Sequence, residues 1–495
     1  MSAFGALRHW PVTTRDTLPM ALWDADSLAP AMGGTPSGAF QVSGVEIDSR
    51  DVRSGDLFFA LSGEATDGHK FIDKAFANGA AAAVVSRPVA YPHILVADTN
   101  QALSALAQAA CNRSAAVRIG VTGSVGKTGV KEAIFAGLDR ASRGQAHRSV
   151  RSYNNHVGVP LSLARMPARA KFGLFEMGMN HAGEIASLTQ QVRPHVAVIT
   201  TIAPAHIENL GSEEAIADAK AEIFAGLEPG GTAVLPADSP HFERLRESAV
   251  RAGAKIISFG RAANADVRLL DAIPSANGGS LVTADLGTVR MCYSVAEPGE
   301  HWIINSLAVM ASVRAAGGDL GAAGLALAEM GGLKGRGARH QIKASGGKAL
   351  LIDESYNANP ASMRATLHAL GQTPATRRIA ILGSMKELGD FSAGFHEQLI
   401  GPITQANVDF AILVGEELRP LAKILQQDLG KGAGNALGNS IFFAHCDSPA
   451  DAIAALEEYG ITAGDVILVK GSNSVGLGRL VDRFVDNQMI MGREG

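Results

Sequence analysis

A chain of 495 residues with 46% hydrophobic and 19% charged residues has the apolar content of about three packed domains, which excludes a disordered polypeptide. Lys and Arg (44) against Asp and Glu (48) leave a net charge of −4, and aromatics are only 5%, so no nucleic-acid partner is expected. The three cysteines, Cys111, Cys292 and Cys446, are spaced for neither a zinc site nor a disulfide framework. The N-terminus lacks a charged region followed by an apolar core, and no run of about 18 apolar residues occurs. A cytoplasmic protein without membrane insertion is the expectation.

Residues 1–112 are expected to form a small α/β domain. The run 56–63 (DLFFALSG) predicts a strand closed by a glycine turn, and 69–80 (HKFIDKAFANGA) spaces its apolar residues as a helix does. Short buried strands are expected at 81–86 and 93–98, then a helix over 101–114. The second domain, 113–334, opens on a strand at 117–122 (VRIGVT), passes through GSVGKT (123–128) and enters a helix over 130–141. Strands at 172–176, 195–201, 231–236 and 255–259 alternate with helical segments, which predicts a mostly parallel sheet covered on both faces. Beyond 264 three short runs predict an antiparallel excursion, and 301–317 returns to helix. The third domain, 335–495, repeats the doubly wound pattern with strands at 348–354, 378–384, 409–415, 441–445 and 466–472. Gly-rich stretches at 331–337 and 431–438 read as a linker and a loop.

The strongest local signal is VTGSVGKT (121–128), set between a strand and a helix. Gly123 and Gly126 let backbone N–H groups turn toward an anion, and the helix N-terminus adds partial positive charge. In such a loop Lys127 reaches the β- and γ-phosphates and Thr128 ligates Mg²⁺. Val121 stands where the usual motif has its first glycine, so this is a variant, and a glycine-rich turn with an incidental Lys-Thr is the alternative. Glu176 ends a buried strand, where parallel sheets bind ligands, and its oxygens suit Mg²⁺; a solvated loop carboxylate is the other reading. A single histidine such as His206 is more often structural or exposed. Lys220, by spacing alone, is a surface lysine, because an ammonium repels Mg²⁺.

Taken together, TGSVGKT, NNHVGVP (154–160), EMGMNHAGEI (176–185), AHIENLGS (205–212), AKAEIF (219–224) and GEHWIINSLA (299–308) resemble the Mur ligases, the ATP-dependent amide-forming enzymes of peptidoglycan precursor synthesis. The resemblance continues in DSRDVRSGDLFFALSGEATDGHKFI (48–72), DESYNANPASM (353–363), GSMKELG (383–389) and VKGSNSVGLGRLV (469–481). YNANP, the ELG segment and EMGMNHAGEI are similar to the branch that adds D-alanyl-D-alanine to UDP-N-acetylmuramoyl-tripeptide. The resemblance implies an α/β fold in three domains: a small N-terminal domain for the UDP substrate, a central P-loop-type ATPase domain with a mostly parallel sheet, and a C-terminal Rossmann-like domain for the dipeptide.

The resemblance also implies roles. ATP is expected at Thr122, Gly123, Ser124, Val125, Gly126, Lys127 and Thr128, with Asn305 at the adenine, Arg336 at the phosphates and Asp353 near the ribose. Mg²⁺ falls to Thr128, Glu176, His206 and Lys220, the last matching the lysine that is carbamylated in this family. Catalysis is assigned to Lys127, Glu176, His206, Lys220 and Arg336. Ser49 and Arg50 match the segment lining the uridine site, Asn154 and Asn155 face the muramoyl substrate, and Tyr356, Asn357 and Asn359 await the dipeptide. Taken singly, Asn305 could be a surface amide, Arg336 a linker cation, and Asp353 and Asn357 turn-formers. The sequence departs from the family at Trp302, where Asn commonly follows the histidine, and at Ser384, where Asp is frequent.

The implied reaction phosphorylates the tripeptide carboxylate with ATP; the amine of D-alanyl-D-alanine then displaces phosphate from the acyl-phosphate. Contacts to ATP from two domains imply closure. A monomer is expected. The alternatives are another Mur or folylpolyglutamate-type ligase, for example one joining a diamino acid to the UDP-dipeptide, a P-loop ATPase or kinase, and a nucleotide-binding regulator without turnover. The first is disfavoured by DSR and YNANP, the second leaves the third domain's motifs unexplained, and the third predicts loss of Lys127 or Glu176, both present.

Overall fold

The computed structural model describes residues 21–63, 66–150, 153–275, 278–429 and 441–491. The Gly-rich stretch 431–438 lies outside them. The chain forms two compact units, one of the residues up to Ala115 joined by Pro160–Arg169, the other of Ala116–Val159 and the residues from Ala170 on.

The first unit holds a five-stranded sheet in the order Thr35–Pro36, His93–Leu95, Ala82–Val85, Asp56–Phe59, Gly44–Glu46, antiparallel only at the first pair. Phe58, Ile72, Ala75 and Val85 pack into one cluster, which orders the short strands around a shared core. The helix expected over 69–80 is shorter, Ile72–Ala77, because a 3₁₀ turn at Gly68–Phe71 precedes it, begun by Asp67 accepting the His69 N–H. Helix Thr99–Asn112 starts where Asp98 accepts two free N–H groups, two residues before the expected start. Residues 160–169 belong here because their backbone and side chains are tied to it: Trp23 Nε1 donates to the Ala164 carbonyl at 2.9 Å, and Arg165 bonds the Val45 carbonyl and Glu46, each at 2.6 Å.

In the second unit, a nine-stranded sheet runs in the order Arg290–Val295, Ser280–Asp285, Val267–Pro274, Lys255–Gly260, Thr232–Pro236, Val196–Ile199, Val117–Thr122, Phe172–Glu176, Ala146–His147–Arg148. The pairs are parallel from Val267–Pro274 to the last strand, and the other two strands extend the sheet as antiparallel hairpins. The excursion expected beyond 264 is therefore continuous with the main sheet. Helices Lys127–Ser142, Glu300–Ala315 and Leu320–Glu329 pack together, with Val130, Ile134, Leu138, Leu307 and Met310 in the core.

A six-stranded sheet follows in the order Ala338–Ala344, Gly347–Glu354, Val466–Lys470, Arg378–Gly383, Phe410–Val414, Phe442–Cys446. All pairs are parallel except the first. The edge strand Ala338–Ala344 was not expected, since it buries only Ala338 and Ile342 and its sequence lacks an apolar run. Parallel strands end together on one side of such a sheet, which brings residues distant in sequence to one rim.

Candidate active site

The phosphate loop is shaped by two glycines and tied down by threonine and serine. Gly123 has φ +147°, and a Cβ there would lie 2.0 Å from Thr200 Oγ1, so no larger residue fits the loop's approach to the neighbouring strand. Gly126, at φ +86°, precedes the helix starting at Lys127, five positions after the strand ends at Thr122. Thr200 Oγ1 donates to the Val125 carbonyl at 2.5 Å, and Ser124 Oγ to that of Ala203 at 2.8 Å. The helix begins at Lys127, on the lining of a cavity, and the free N–H groups of a helix N-terminus favour an anion.

That cavity lies wholly in the second unit, between the phosphate loop and the segments around Arg336 and Tyr356. Its lining brings Ser124, Val125, Gly126 and Lys127 together with Asn154, Glu176, His206, Lys220 and Asn305 and with Arg336, Tyr356, Asn357 and Asn359. Lys127 Nζ donates to the Gly123 carbonyl at 2.6 Å, folding back over its loop. Burial pushes its ammonium below the ordinary lysine range, Glu176 opposes that, and Arg336 adds to it. Glu176 is fully buried, which removes the solvated-loop reading, and it accepts from Thr128 Oγ1 at 2.8 Å and Asn154 Nδ2 at 3.0 Å.

Lys220 is also buried, correcting the surface reading that its helical spacing alone gives. Burial, and then the charge of Lys127, hold its ammonium well below the ordinary range. His206 adopts the left-handed conformation at φ +60° and turns Nδ1 toward Glu387, whose carboxyl the imidazole lowers. Asn305 is buried beside Gly126 rather than a surface amide. Trp302 lies against Gly129, where a Cβ would meet its ring at 2.9 Å, so the departure from Asn puts an indole beside the helix that follows the loop. Arg336 stacks over the Tyr356 ring at 4.1 Å.

Other expected residues sit elsewhere. Asp353 is buried behind the cavity wall, where its carboxylate accepts the Gly335 N–H at 2.7 Å and the Ser355 Oγ–H at 2.6 Å. It shapes the turns that carry Arg336 and Tyr356 without lining the cavity. Thr122, Gly123 and Thr128 likewise stand behind the lining. Asn155 accepts the Gly158 N–H at 2.9 Å, and Asn359 caps helix Pro360–Gln372 through Ser362 at 2.9 Å while still facing the cavity. Ser49 and Arg50 belong to the first unit, where Arg50 pairs with Asp48 at 2.6 Å. Buried Ser384 follows strand Arg378–Gly383 and donates to the Val414 carbonyl at 3.3 Å.

The sequence reading assigned nothing to Glu354, Lys470 or His301, which also line the cavity. Glu354 and Lys470 are register partners at the ends of adjacent parallel strands. Their position at strand ends was the available signal.

The arrangement offers cations and a helix N-terminus for phosphates, and a buried carboxylate–hydroxyl pair, Glu176 and Thr128, for a hard metal ion. Among the described residues no three His, Cys, Asp or Glu side chains converge as a metal site. No helix among them is long and apolar enough to cross a membrane.

Three family models match the chain: the Mur ligase family catalytic domain over 41–113, the Mur ligase middle domain over 121–313, and the Mur ligase glutamate ligase domain over 338–473. The UDP-N-acetylmuramoyl-tripeptide–D-alanyl-D-alanine ligase of Synechocystis is 36% identical, covering 90% of this chain and 92% of that one. The ligase of the same name from Escherichia coli is 33% identical, covering 93% and 98%. A crystal structure of MurF from Acinetobacter baumannii aligns with a TM-score of 0.79 at 29% identity, covering 95% of this chain and 100% of that one. MurF ligase from Thermotoga maritima in complex with ADP aligns at 0.71 and 25% identity, covering 90% and 97%. With three family models along its length and a 36% identical relative spanning 90% of it, the chain belongs to the Mur ligase family and is an enzyme of the ligase class.

Proposed function

We propose that the chain joins D-alanyl-D-alanine to UDP-N-acetylmuramoyl-tripeptide with ATP, through an acyl-phosphate, as step in peptidoglycan synthesis. The observation carrying this reading is one cavity lined both by the phosphate loop and by Arg336, Tyr356, Asn357 and Asn359. Relatives named for this reaction support it. The proposed division of labour is residues 1–112 for the UDP substrate, including Ser49 and Arg50; 113–334 for ATP, with Asn154 and Asn155 toward the muramoyl peptide; and 335–495 for the dipeptide. Asp353 acts on ATP through the turn that presents Arg336.

A carboxylate is a poor electrophile, and phosphorylation supplies its leaving group. Both reactants are anionic, so the protein's task is to hold them together. Lys127 and Arg336 offset the phosphate charge where it develops in the transition state. Holding carboxylate and γ-phosphate in line contributes up to about 7–11 kcal/mol at the upper end of such effects. Thr128 and Glu176 provide oxygen donors for Mg²⁺, with His206 and Lys220 completing the set. Lys220 fits it only as an anion, and its burial supports this, since a neutral amine adds CO₂ to give a carbamate. Bound there, Mg²⁺ supplies neutralisation of phosphate charge. A cytoplasmic monomer without nucleic-acid or membrane partners is part of the same reading.

The test is ADP formation by purified protein with Mg²⁺, ATP and the UDP-tripeptide, with and without D-alanyl-D-alanine. Turnover requiring every component, with a UDP-pentapeptide by mass spectrometry, is the expected result. Turnover instead with the UDP-dipeptide and a diamino acid overturns it.

A further inference from the structure

The incoming amine arrives as an ammonium, and an ammonium cannot attack an acyl carbon. It must lose a proton in a cavity whose lining includes the cations Lys127, Arg336 and Lys470. The lining carboxylates are Glu176 and Glu354. Glu176 is hydrogen-bonded to Thr128 and Asn154 behind the phosphate loop. Glu354 lines the same cavity from the last residue of strand Gly347–Glu354, in the segment that also brings Tyr356 and Asn357 to the lining. Its side chain is 20% exposed and lines both this cavity and a smaller neighbouring one.

Resting on the function proposed above, we propose that Glu354 is the catalytic base that receives the ammonium of the incoming dipeptide and takes its proton. The carboxylate accepts the proton from the ammonium, giving a neutral amine and Glu354–COOH. The amine lone pair forms the new N–C bond at the acyl carbon. The C–O bond to phosphate then breaks, the phosphate leaving with the electron pair and gaining the second proton shed by nitrogen. Glu354 returns its proton to solvent through its exposed edge.

The surroundings suit this task. Lys470 Nζ lies 3.7 Å from Glu354 Oε2 and also donates to the Asn357 carbonyl at 2.9 Å, fixing the loop beside the base. Burial raises the Glu354 carboxyl above the ordinary range and Asp353 adds to that, while Lys470 and Arg336 oppose it. Glu297 Oε2 and Glu354 Oε1 both lie near the position a Gly337 Cβ would take, and Glu297 interacts with the charge of Arg339. His301, near Lys470, is pushed down to about 4 by burial, so it is a weaker proton acceptor.

The test compares native protein with Glu354→Gln and Glu354→Asp, using D-alanyl-D-alanine or hydroxylamine as acceptor. Hydroxylamine is neutral at pH 7 and traps the acyl-phosphate as a hydroxamate without needing a base. Glu354→Gln is expected to lose dipeptide turnover about 10²–10⁴-fold, with hydroxamate formation within about threefold of native. Its dipeptide rate should climb about tenfold per pH unit toward the free α-amino pKa, about 8, and Glu354→Asp should recover part of the loss. Equal losses with both acceptors, or a Glu354→Gln rate equal to native, overturn the role. Native protein that forms hydroxamate but does not turn over the dipeptide overturns the proposed acceptor and the base assignment together, whereas native turnover with equal variant losses overturns the base alone.

Discussion

At the residue scale, burial decides chemistry that residue type leaves open. Lys220 and Glu176 are ordinary charged residues in the sequence, yet both are buried against the phosphate loop. Glu297 shows the same effect on stability. Burial raises its carboxyl to about 7, with Glu354 adding and Arg339 opposing. Between the ordinary value near 4.5 and 7, the folded chain holds a proton that the unfolded chain has released. Stability therefore falls as pH rises through that window, and the penalty is complete above 7. Glu297→Gln removes the ionising group and leaves exposed Arg339 in solvent. The variant should be more stable than the native protein by about 1–3 kcal/mol at pH 8, the advantage vanishing near pH 4.5. Denaturant melts across that range check it; a pH-independent difference contradicts the assignment.

Elements set the geometry of the loop. Gly123 and Gly144 both have positive φ, but a Cβ at Gly123 would strike Thr200 whereas one at Gly144 meets open space. Gly123→Ala is therefore expected to lose about 1–3 kcal/mol of stability and at least tenfold in ADP affinity. Gly144→Ala should pay only the backbone term, about 1 kcal/mol, and bind ADP as the native protein does. Calorimetric titration and thermal melts separate the two. The strand-to-helix switch at 117–142 was legible in sequence because it follows from local periodicity and glycine placement. The edge strand Ala338–Ala344 was not, because its pairing with Gly347–Glu354 supplies the order its composition lacks.

At the scale of the whole molecule, residues from Ser124 to Lys470 meet in one cavity of the second unit. If ATP spans that cavity, a nonhydrolysable ATP analogue should slow amide exchange both in 123–128 and in 333–357. Protection confined to 123–128 would refute a role for Arg336 at the phosphates. The alternation of strands and helices, the phosphate loop, and the order of motifs are all readable along the chain, since each is written in short-range spacing. The burial of Lys220, the service of Asp353 to a turn rather than the cavity, the membership of residues 160–169 in the first unit, and the pairing of Glu354 with Lys470 emerge from the folded chain alone. These depend on which surfaces exclude water and which strand ends lie side by side, and such long-range contacts leave no period in the sequence.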